Sequence, residues 1–201
     1  IDMPAGPSEV EVIADESANP AFIAADFLSQ AEHGVDSQAM LVTASESIVK
    51  PVMQAIREQL DRLPRKEITE KSLSHSRLIV LKDKQEVIDF TNLYAPEHLI
   101  IQTTDYADIA GQVENAGSVF MGSYTPESAG DYASGTNHTL PTNGYAKAYS
   151  GVNLDSFIKK ITFQEITADG IRLLGGTIRT MAANEQLDAH KNAVTIRLNT
   201  L

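Results

Sequence analysis

The sequence of 201 residues contains no cysteine. The chain can therefore form no disulfide, no thiolate metal site and no cysteine nucleophile. A transition metal would have to bind histidine, carboxylate or amide side chains instead. Long apolar runs and a recognisable signal peptide are also absent, so the sequence predicts no membrane span.

Basic residues are scarce relative to acidic ones. The chain has 27 acidic and 16 basic residues, which gives a formal net charge of −11, so we expect no nucleic-acid partner. The one basic cluster, RLPRKEITEK at 62–71, is mixed with acids and is typical of a solvated linker or a helix end. The first residues already form a motif-like stretch, and we expect the chain to be part of a longer protein.

Strand and helix patterns alternate over residues 9–122. Segments with strand patterns are 9–14, 38–43, 76–83, 98–103 and 118–122. Segments with helix patterns are 19–34, 45–63, 84–95 and 105–117. In the first helix, Asn19 can cap, Pro20 suits the first turn and Gly34 suits a position just past the end, whereas Pro51 is an irregularity early in the second. Short connections between alternating elements predict an α/β layer with a mainly parallel sheet.

The pattern changes after residue 122. Residues 122–151 are rich in Gly, Ser, Thr, Pro and Asn and show no periodicity, and a loop of this length is functional or disordered. Its four tyrosines favour an ordered, functional loop. Helical patterns return at 154–167 and 168–198, where Gly175-Gly176 breaks the longer segment. We divide the chain into an α/β domain, 1–152, and a helical C-terminal arm, 153–201, which we expect to pack on a partner subunit.

Two pairs of polar residues are candidates for chemistry. Gln30 and His33 are three residues apart in a predicted helix, so they share a face. They form either a polar last turn, where histidine complements the helix dipole, or two ligands of one metal ion. Glu97 and His98 precede a predicted strand and combine a carboxylate with a base that titrates near neutral pH. The same pentapeptide, APEHL, also fits an ordinary polar loop.

The long loop and the remaining histidines carry weaker signals. Asp131 and His138 lie in a glycine-flanked loop, where an aspartate is more often a turn residue than a ligand. His75 lies in a polar stretch and is interpreted as a surface residue. No GxGxxG or GxxxxGK[ST] motif occurs, so the sequence predicts no nucleotide-phosphate loop.

Five stretches of the chain resemble the histidinol dehydrogenase family. They occur in the family's order along all 201 residues and read IDMPAGPSEV, FLSQAEHGVDSQ, YAPEHL, GSYTPESAGDYASGTNHTLPT and EQLDAHKNAV. The resemblance implies the C-terminal half of a cytoplasmic enzyme that oxidises L-histidinol to L-histidine through L-histidinaldehyde, with two NAD⁺ in sequence. It implies one zinc ion per active site and a homodimer whose subunits share their sites. The implied fold is an incomplete Rossmann-like layer with a helical arm.

The resemblance also implies roles for individual residues. The implied zinc ligands are Gln30, His33, Asp131 and His190. The implied acid-base pair is Glu97 and His98. The implied substrate site comprises these zinc ligands, His98, and also Ser8, His138 and Glu185. We expect His190 to reach the zinc site of a neighbouring subunit. Because the family's NAD⁺ site lies mostly upstream, we expect no cofactor-binding residue in this chain and no activity of the chain alone.

Two other functions are compatible with the same residues. In the dehydrogenase, His98 would take the alcohol proton and Glu97 would deprotonate water in the aldehyde step. The chain could instead be a binding module that keeps a metal or imidazole site without redox chemistry. It could also be a metallohydrolase with Glu97 as the base for water, which would need an open zinc position and no nicotinamide.

Overall fold

The structure is a computed structural model that describes residues 3–201. Ile1 and Asp2, the first residues of the IDMPAGPSEV stretch, lie outside the described residues. The chain divides into two compact units, of which the first ends at Ile158 and the second is Lys159–Leu201. The described part contains no helix that is long and apolar enough to cross a membrane.

The first unit is built on a five-stranded parallel sheet. Its strands are β1 (Glu9–Ala14), β2 (Gln38–Thr43), β3 (Arg77–Val80), β4 (His98–Gln102) and β5 (Ser118–Met121). Their spatial order is β3-β2-β1-β4-β5, and every pairing is parallel. The strand order reverses beside β1, as in Rossmann-like sheets. The predicted α/β layer is confirmed.

Helices cover both faces of the sheet. The helices on one face are α1 (Pro20–Ala31), α2 (Val49–Leu60) and α3 (Lys66–Leu73). Those on the other face are α4 (Lys84–Tyr94) and α5 (Tyr106–Ala110). Helix α1 begins as its sequence predicts, because the Asn19 side chain accepts a hydrogen bond from the Ala21 backbone at 2.9 Å. A short 3₁₀ turn precedes α2, so Pro51 falls in the first helical turn, where its missing N–H costs nothing.

Alternation along the strands divides the apolar residues between two cores. In β1, Val10 and Val12 face the core formed with α1 and α2, whereas Ile13 faces the core formed with α4 and α5. In β4, Ile100 belongs to the first core and Leu99 to the second. A sheet that is buried on both faces explains why β2 and β4 are almost continuously apolar.

Two polar segments are more ordered than the sequence predicts. The segment 62–71, interpreted as a linker or helix end, contains most of α3, whose Thr69 and Ser72 are buried. The Ser72 hydroxyl donates to the Ser37 carbonyl at 2.8 Å, which attaches the helix to the start of β2. The predicted loop 122–151 contains helix α6 (Glu127–Tyr132), which begins directly after Pro126.

The helical prediction for the end of the chain is partly wrong. Residues 154–167 are not a helix but contain only a 3₁₀ turn, Leu154–Phe157. Gly175 and Gly176 do not break the following segment, because helix α7 (Ala168–Asn184) runs through them. The break comes later, where Gln186 adopts a left-handed φ of 59° before helix α8 (Asp188–Leu198).

The second unit is an antiparallel pair of helices that depends on a glycine for close packing. A Cβ on Gly175 would come within 2.7 Å of the Leu198 side chain and 3.2 Å of Val194. The two helices can therefore approach closely only because position 175 has no side chain. Gly176, one residue further, has open space around it.

Candidate metal and acid-base site

Glu97 and His98 lie at the edge of the sheet where the strands begin. Glu97 immediately precedes β4 and is 4% exposed, and the backbone N–H of Glu9 in β1 donates to its Oε2 at 2.8 Å. Gly117 passes so close that a Cβ there would lie 2.5 Å from the Glu97 carbonyl oxygen. Glu97 is thus held at its carboxylate by β1 and at its backbone carbonyl by the start of β5.

The His98 ring has one nitrogen engaged and one free. Its Nδ1 lies 3.0 Å from the Glu9 carbonyl oxygen, which can only accept, so Nδ1 carries the proton. Its Nε2 is buried and has no hydrogen-bond partner among residues 3–201. Burial lowers the pKa of His98, against the opposing effects of the Glu9 carbonyl and the Asp131 charge. The ring is therefore kept neutral with a lone pair available on Nε2.

The pKa of Glu97 is shifted in the opposite direction to that of His98. Burial raises the pKa of Glu97 to about 8, and the charges of Glu9 and Asp131 add to this rise, while the Glu9 N–H opposes it. The carboxylate Oε2 lies 3.6 Å from His98 Nδ1. A carboxyl group that titrates near neutral pH can take or give a proton during a reaction.

Gln30 and His33 lie at the end of α1, on the same side of the sheet as His98. The helix ends at Ala31, so His33 is two residues beyond it and exposed, whereas Gln30 is fully buried. The His33 backbone N–H donates to the Gln30 carbonyl at 3.2 Å, which keeps the two residues in one tight turn. The helix brings both residues to the amino-end edge because a crossover helix runs opposite to the strands that it connects.

Helix α6 brings two acids to the same place. Glu127 and Asp131 are four residues apart and share one side of the helix, which faces the end of α1. Gly130 permits the approach of α6 to the sheet, since a Cβ there would lie 2.6 Å from the Phe120 ring. The sequence predicts that Gly130 provides a turn, but the structure shows it inside a helix, where the requirement is space.

Three of these side chains could hold one cation. Ligand atoms of His33, Glu127 and Asp131 all lie within 4.8 Å of one another. The Gln30 amide is assigned the orientation in which its nitrogen faces acceptors and its oxygen does not. In this orientation the nitrogen donates to Glu127 Oε1 at 3.0 Å and to Oε2 at 3.2 Å. Burial raises the pKa of Glu127 to about 9, and the charges of Asp131, Glu97 and Asp26 act in the same direction.

The other predicted site residues are divided between the two units. Ser8 is partly buried just before β1, and its carbonyl accepts from Gln38 N–H at 3.0 Å. His138 is exposed in the loop after α6, and its charge acts on His98. Glu185 and His190 belong to the second unit, where both are exposed, at the end of α7 and in the first turn of α8.

Glu127 is not among the site residues that the sequence predicts. Glu127 precedes Asp131 by four residues, a spacing that places two side chains on one face only if the segment is a helix. The sequence predicts a loop there, so the spacing gives no indication of a pair. Asp26 was missed as well, although it precedes Gln30 by one helical turn on α1 and is 6% exposed. Gln102 donates to Asp26 at 2.8 Å. Buried acids thus extend along the α1 side beyond the predicted residues.

This cluster lies opposite the place where open parallel sheets usually bind ligands. That usual place is the crevice at the carboxyl ends of the strands, where the strand order reverses. Here that crevice has a volume of about 340 Å³ and is lined by Asp15, Lys84 and Thr104 among others. His33, His98 and the buried acids beside them lie instead near the amino ends of β1 and β4.

A parallel α/β layer that holds imidazoles and carboxylates around one point defines an α/β protein with a candidate metal-dependent acid-base site. The family model of histidinol dehydrogenase matches residues 1–198. The chain belongs to the histidinol dehydrogenase family.

Relatives of this family match the chain from end to end. A histidinol dehydrogenase from Bacteroides thetaiotaomicron is 70% identical over 201 residues, which are 100% of this chain and 47% of that protein. A chloroplastic histidinol dehydrogenase from Arabidopsis thaliana is 58% identical over 202 residues and 43% of its length. The crystal structure of histidinol dehydrogenase from Elizabethkingia anophelis superposes with a TM-score of 0.93 at 58% identity, over 99% of this chain and 46% of that one. The chain spans about half the length of the curated relatives that it matches.

Proposed function

We propose that this chain is the zinc- and substrate-binding part of a histidinol dehydrogenase that oxidises L-histidinol to L-histidine through L-histidinaldehyde. The relatives named above carry the name of this enzyme. The observation that carries the proposal is the convergence of His33, Glu127 and Asp131 in a member of this family. Because the chain spans half of its relatives, the proposed activity is that of the longer protein.

The residues of the first unit fit a zinc ion. Nitrogen and oxygen ligands of one zinc ion lie about 2.1 Å from it, so two of them can be at most about 4.2 Å apart. Ligand atoms of His33 and Asp131 lie within 4.8 Å of each other, which is close to this upper limit. The surrounding carboxyl groups have pKa values raised by burial, with none of the contributions coming from a lysine or arginine, so a cation would compensate them. We assign Gln30, His33, Asp131 and His190 as ligands.

His98 and Glu97 would divide the proton transfers between them. A bound zinc ion would hold the imidazole and amine of the substrate as a template, and bound NAD⁺ would accept hydride. His98 would take the hydroxyl proton on Nε2, the buried nitrogen that has no partner in the described part of the chain, while Glu9 holds Nδ1. Glu97 would take a proton from the water that adds to the aldehyde, since its raised pKa makes it a base effective near neutral pH.

The remaining substrate contacts are assigned on the resemblance. Ser8, His138 and Glu185 would complete the substrate site, together with the zinc ligands and His98. The homodimer would share its sites, so that His190 reaches the zinc site of a neighbouring subunit and the arm, 153–201, packs on that subunit. We also propose that the boundary between the α/β domain and the arm lies at residue 152, and that the longer protein is cytoplasmic. The NAD⁺ site would lie in the upstream half, so the chain alone would be inactive.

A metallohydrolase is the second candidate function. Glu97, beside the candidate metal site, could activate water for hydrolysis without any redox partner. The two functions differ in their need for a nicotinamide. A binding module would show neither activity.

The test uses the longer protein, at the full length of its relatives, loaded with zinc. We expect two NADH per L-histidinol and formation of L-histidine, and no NADH from the 201-residue chain alone. Hydrolysis of a histidine ester without NAD⁺, and no NADH from histidinol, would favour the metallohydrolase. Binding of histidinol with no product of either kind would favour the binding module.

A further inference from the structure

Gln30 is an unusual candidate for a metal ligand because its oxygen is uncharged. An amide can present either oxygen or nitrogen to a metal ion, and only the oxygen binds it. Gln30 is 0% exposed, so water cannot satisfy its N–H groups. A buried acceptor must therefore hold the amide nitrogen if the oxygen is to face a cation.

Glu127 is that acceptor. With the Gln30 amide assigned so that its nitrogen faces Glu127, both carboxyl oxygens are within hydrogen-bond distance of that nitrogen, at 3.0 and 3.2 Å. Glu127 is itself 1% exposed, which restricts the rotamers of both side chains. The Gln30 oxygen then lies on the other branch of the amide, directed away from Glu127. An oxygen that accepts from the amide nitrogen also polarises the amide and increases the negative charge on its oxygen.

We propose that Glu127 is a positioning residue of the metal site, which accepts the Gln30 amide hydrogens and so turns Gln30 Oε1 toward the cation. This inference rests on the proposed function for the identity of the ion. Outer partners of metal ligands fix ligand orientation, and their loss typically lowers metal affinity about 10- to 100-fold. Glu127 would thus act through Gln30, although one of its oxygens also lies within 4.8 Å of the His33 and Asp131 ligand atoms.

The test compares two neutral substitutions in two backgrounds. Alanine and glutamine are both uncharged at this position, but only Glu127→Gln keeps an oxygen that can accept from Gln30, whereas Glu127→Ala does not. Zinc affinity of the 201-residue chain is measured by competition with a chromogenic chelator, in the parent chain and in Gln30→Ala. We expect Glu127→Ala to bind zinc at least about 10-fold more weakly than Glu127→Gln in the parent. In the Gln30→Ala background we expect the two substitutions to be equal.

A spectroscopic measurement distinguishes positioning from direct ligation. The visible spectrum of bound Co²⁺ reports the number and type of ligands. We expect the spectrum of Glu127→Gln to match that of the parent chain. The matched control is Glu11→Gln, which alters another fully buried acid, on the α4 face of the sheet, and should leave zinc affinity unchanged.

Three results would overturn the inference. Equal zinc affinities of Glu127→Ala and Glu127→Gln in the parent chain would show that the hydrogen bond to Gln30 is irrelevant. A Co²⁺ spectrum that changes in Glu127→Gln as it does in Asp131→Asn would make Glu127 a direct ligand. Failure of the parent chain to bind zinc would overturn both the inference and the metal site of the proposed function. NADH formation by the longer protein is a separate measurement, so the proposed reaction can fail while the role of Glu127 holds.

Discussion

At the scale of single residues, the chain contains several acidic side chains that are almost completely buried. Carboxyl groups that are less than a tenth exposed are found at Glu9, Glu11, Asp26, Glu97 and Glu127. Burial raises the pKa of every one of them, because a charged carboxylate loses water without gaining a basic partner. Glu97 and Glu127 lie beside imidazoles in the candidate site, whereas Glu11 lies on the other face.

Substitution of Glu97 should separate the two oxidation steps of the proposed reaction. In the longer protein, Glu97→Gln should slow the aldehyde step by about 10²- to 10⁴-fold and leave the alcohol step nearly intact, because only the former needs a base for water. Rapid-quench analysis would then show one early NADH per histidinol and accumulated aldehyde. His98→Gln is the matched variant and should slow the alcohol step. An equal loss in both steps of Glu97→Gln would contradict the division of roles.

Glu11 should make stability depend on pH. Burial raises the pKa of Glu11 to about 8, against the opposing hydrogen bond from Thr91. The folded chain keeps this proton while the unfolded chain releases it above about pH 4.5, so the free energy of unfolding falls as pH rises toward 8.

The variant Glu11→Gln removes this contribution because glutamine does not titrate. Urea unfolding at pH 6 and pH 8 should show a loss that is smaller than in the parent chain by on the order of 2 kcal/mol. At pH 4, where the glutamate is protonated in both states, the two proteins should differ little. Identical losses between pH 6 and pH 8 would show that Glu11 is ionised in the folded chain.

At the scale of elements, helix α7 contains two adjacent glycines, and replacing each of them by alanine should change stability in opposite directions. Gly176→Ala should stabilise α7 by about 0.5–1 kcal/mol, because alanine has the better helix propensity and, beyond the neighbouring residues and the helix backbone itself, no atom of residues 3–201 lies within 4 Å of the new Cβ. Gly175→Ala should destabilise the helix pair by about 1–3 kcal/mol, since the Cβ would meet Leu198 and Val194. Amide hydrogen exchange of α7 should slow in the first variant and accelerate in the second. Equal exchange in both would mean that α7 and α8 do not pack closely.

The elements that the sequence predicts well are those whose signals are local. Asn19-Pro20 begins α1 as expected, since an N-cap and a proline act within one turn. Helices α3 and α6 were missed because few of their residues are apolar, so that hydrophobic periodicity is weak. Gly175-Gly176 was misread because glycine at a helix crossing and glycine at a helix end look alike in sequence.

At the scale of the whole molecule, a cation should stabilise the first unit. A ligand that binds the folded state alone adds about 2.7 kcal/mol when its concentration is 100 times its dissociation constant. Zinc should therefore raise the thermal midpoint of the chain by several degrees, and a chelator should reverse the shift. Asp131→Asn should abolish most of it. A zinc shift of equal size in Asp131→Asn would place the ion elsewhere.

The sheet also carries exposed apolar residues at both edges. Val80 of β3 is 45% exposed, and Val119 and Met121 of β5 are 37% and 42% exposed. Unpaired edges of this kind favour pairing with another strand. We still predict that upstream residues of the longer protein complete this layer.

The sequence by itself determined the class of fold, the paired candidates Gln30 and His33, and the pair Glu97 and His98. These features follow from periodicity, capping and neighbouring residues, which act over a few positions of the chain. Only the tertiary structure decided that α6 lies against the end of α1, that Glu127 joins the cluster and that His98 keeps a free Nε2. These contacts join residues nearly a hundred positions apart, and they depend on crossover helices and on the space left at Gly130, which no local pattern encodes.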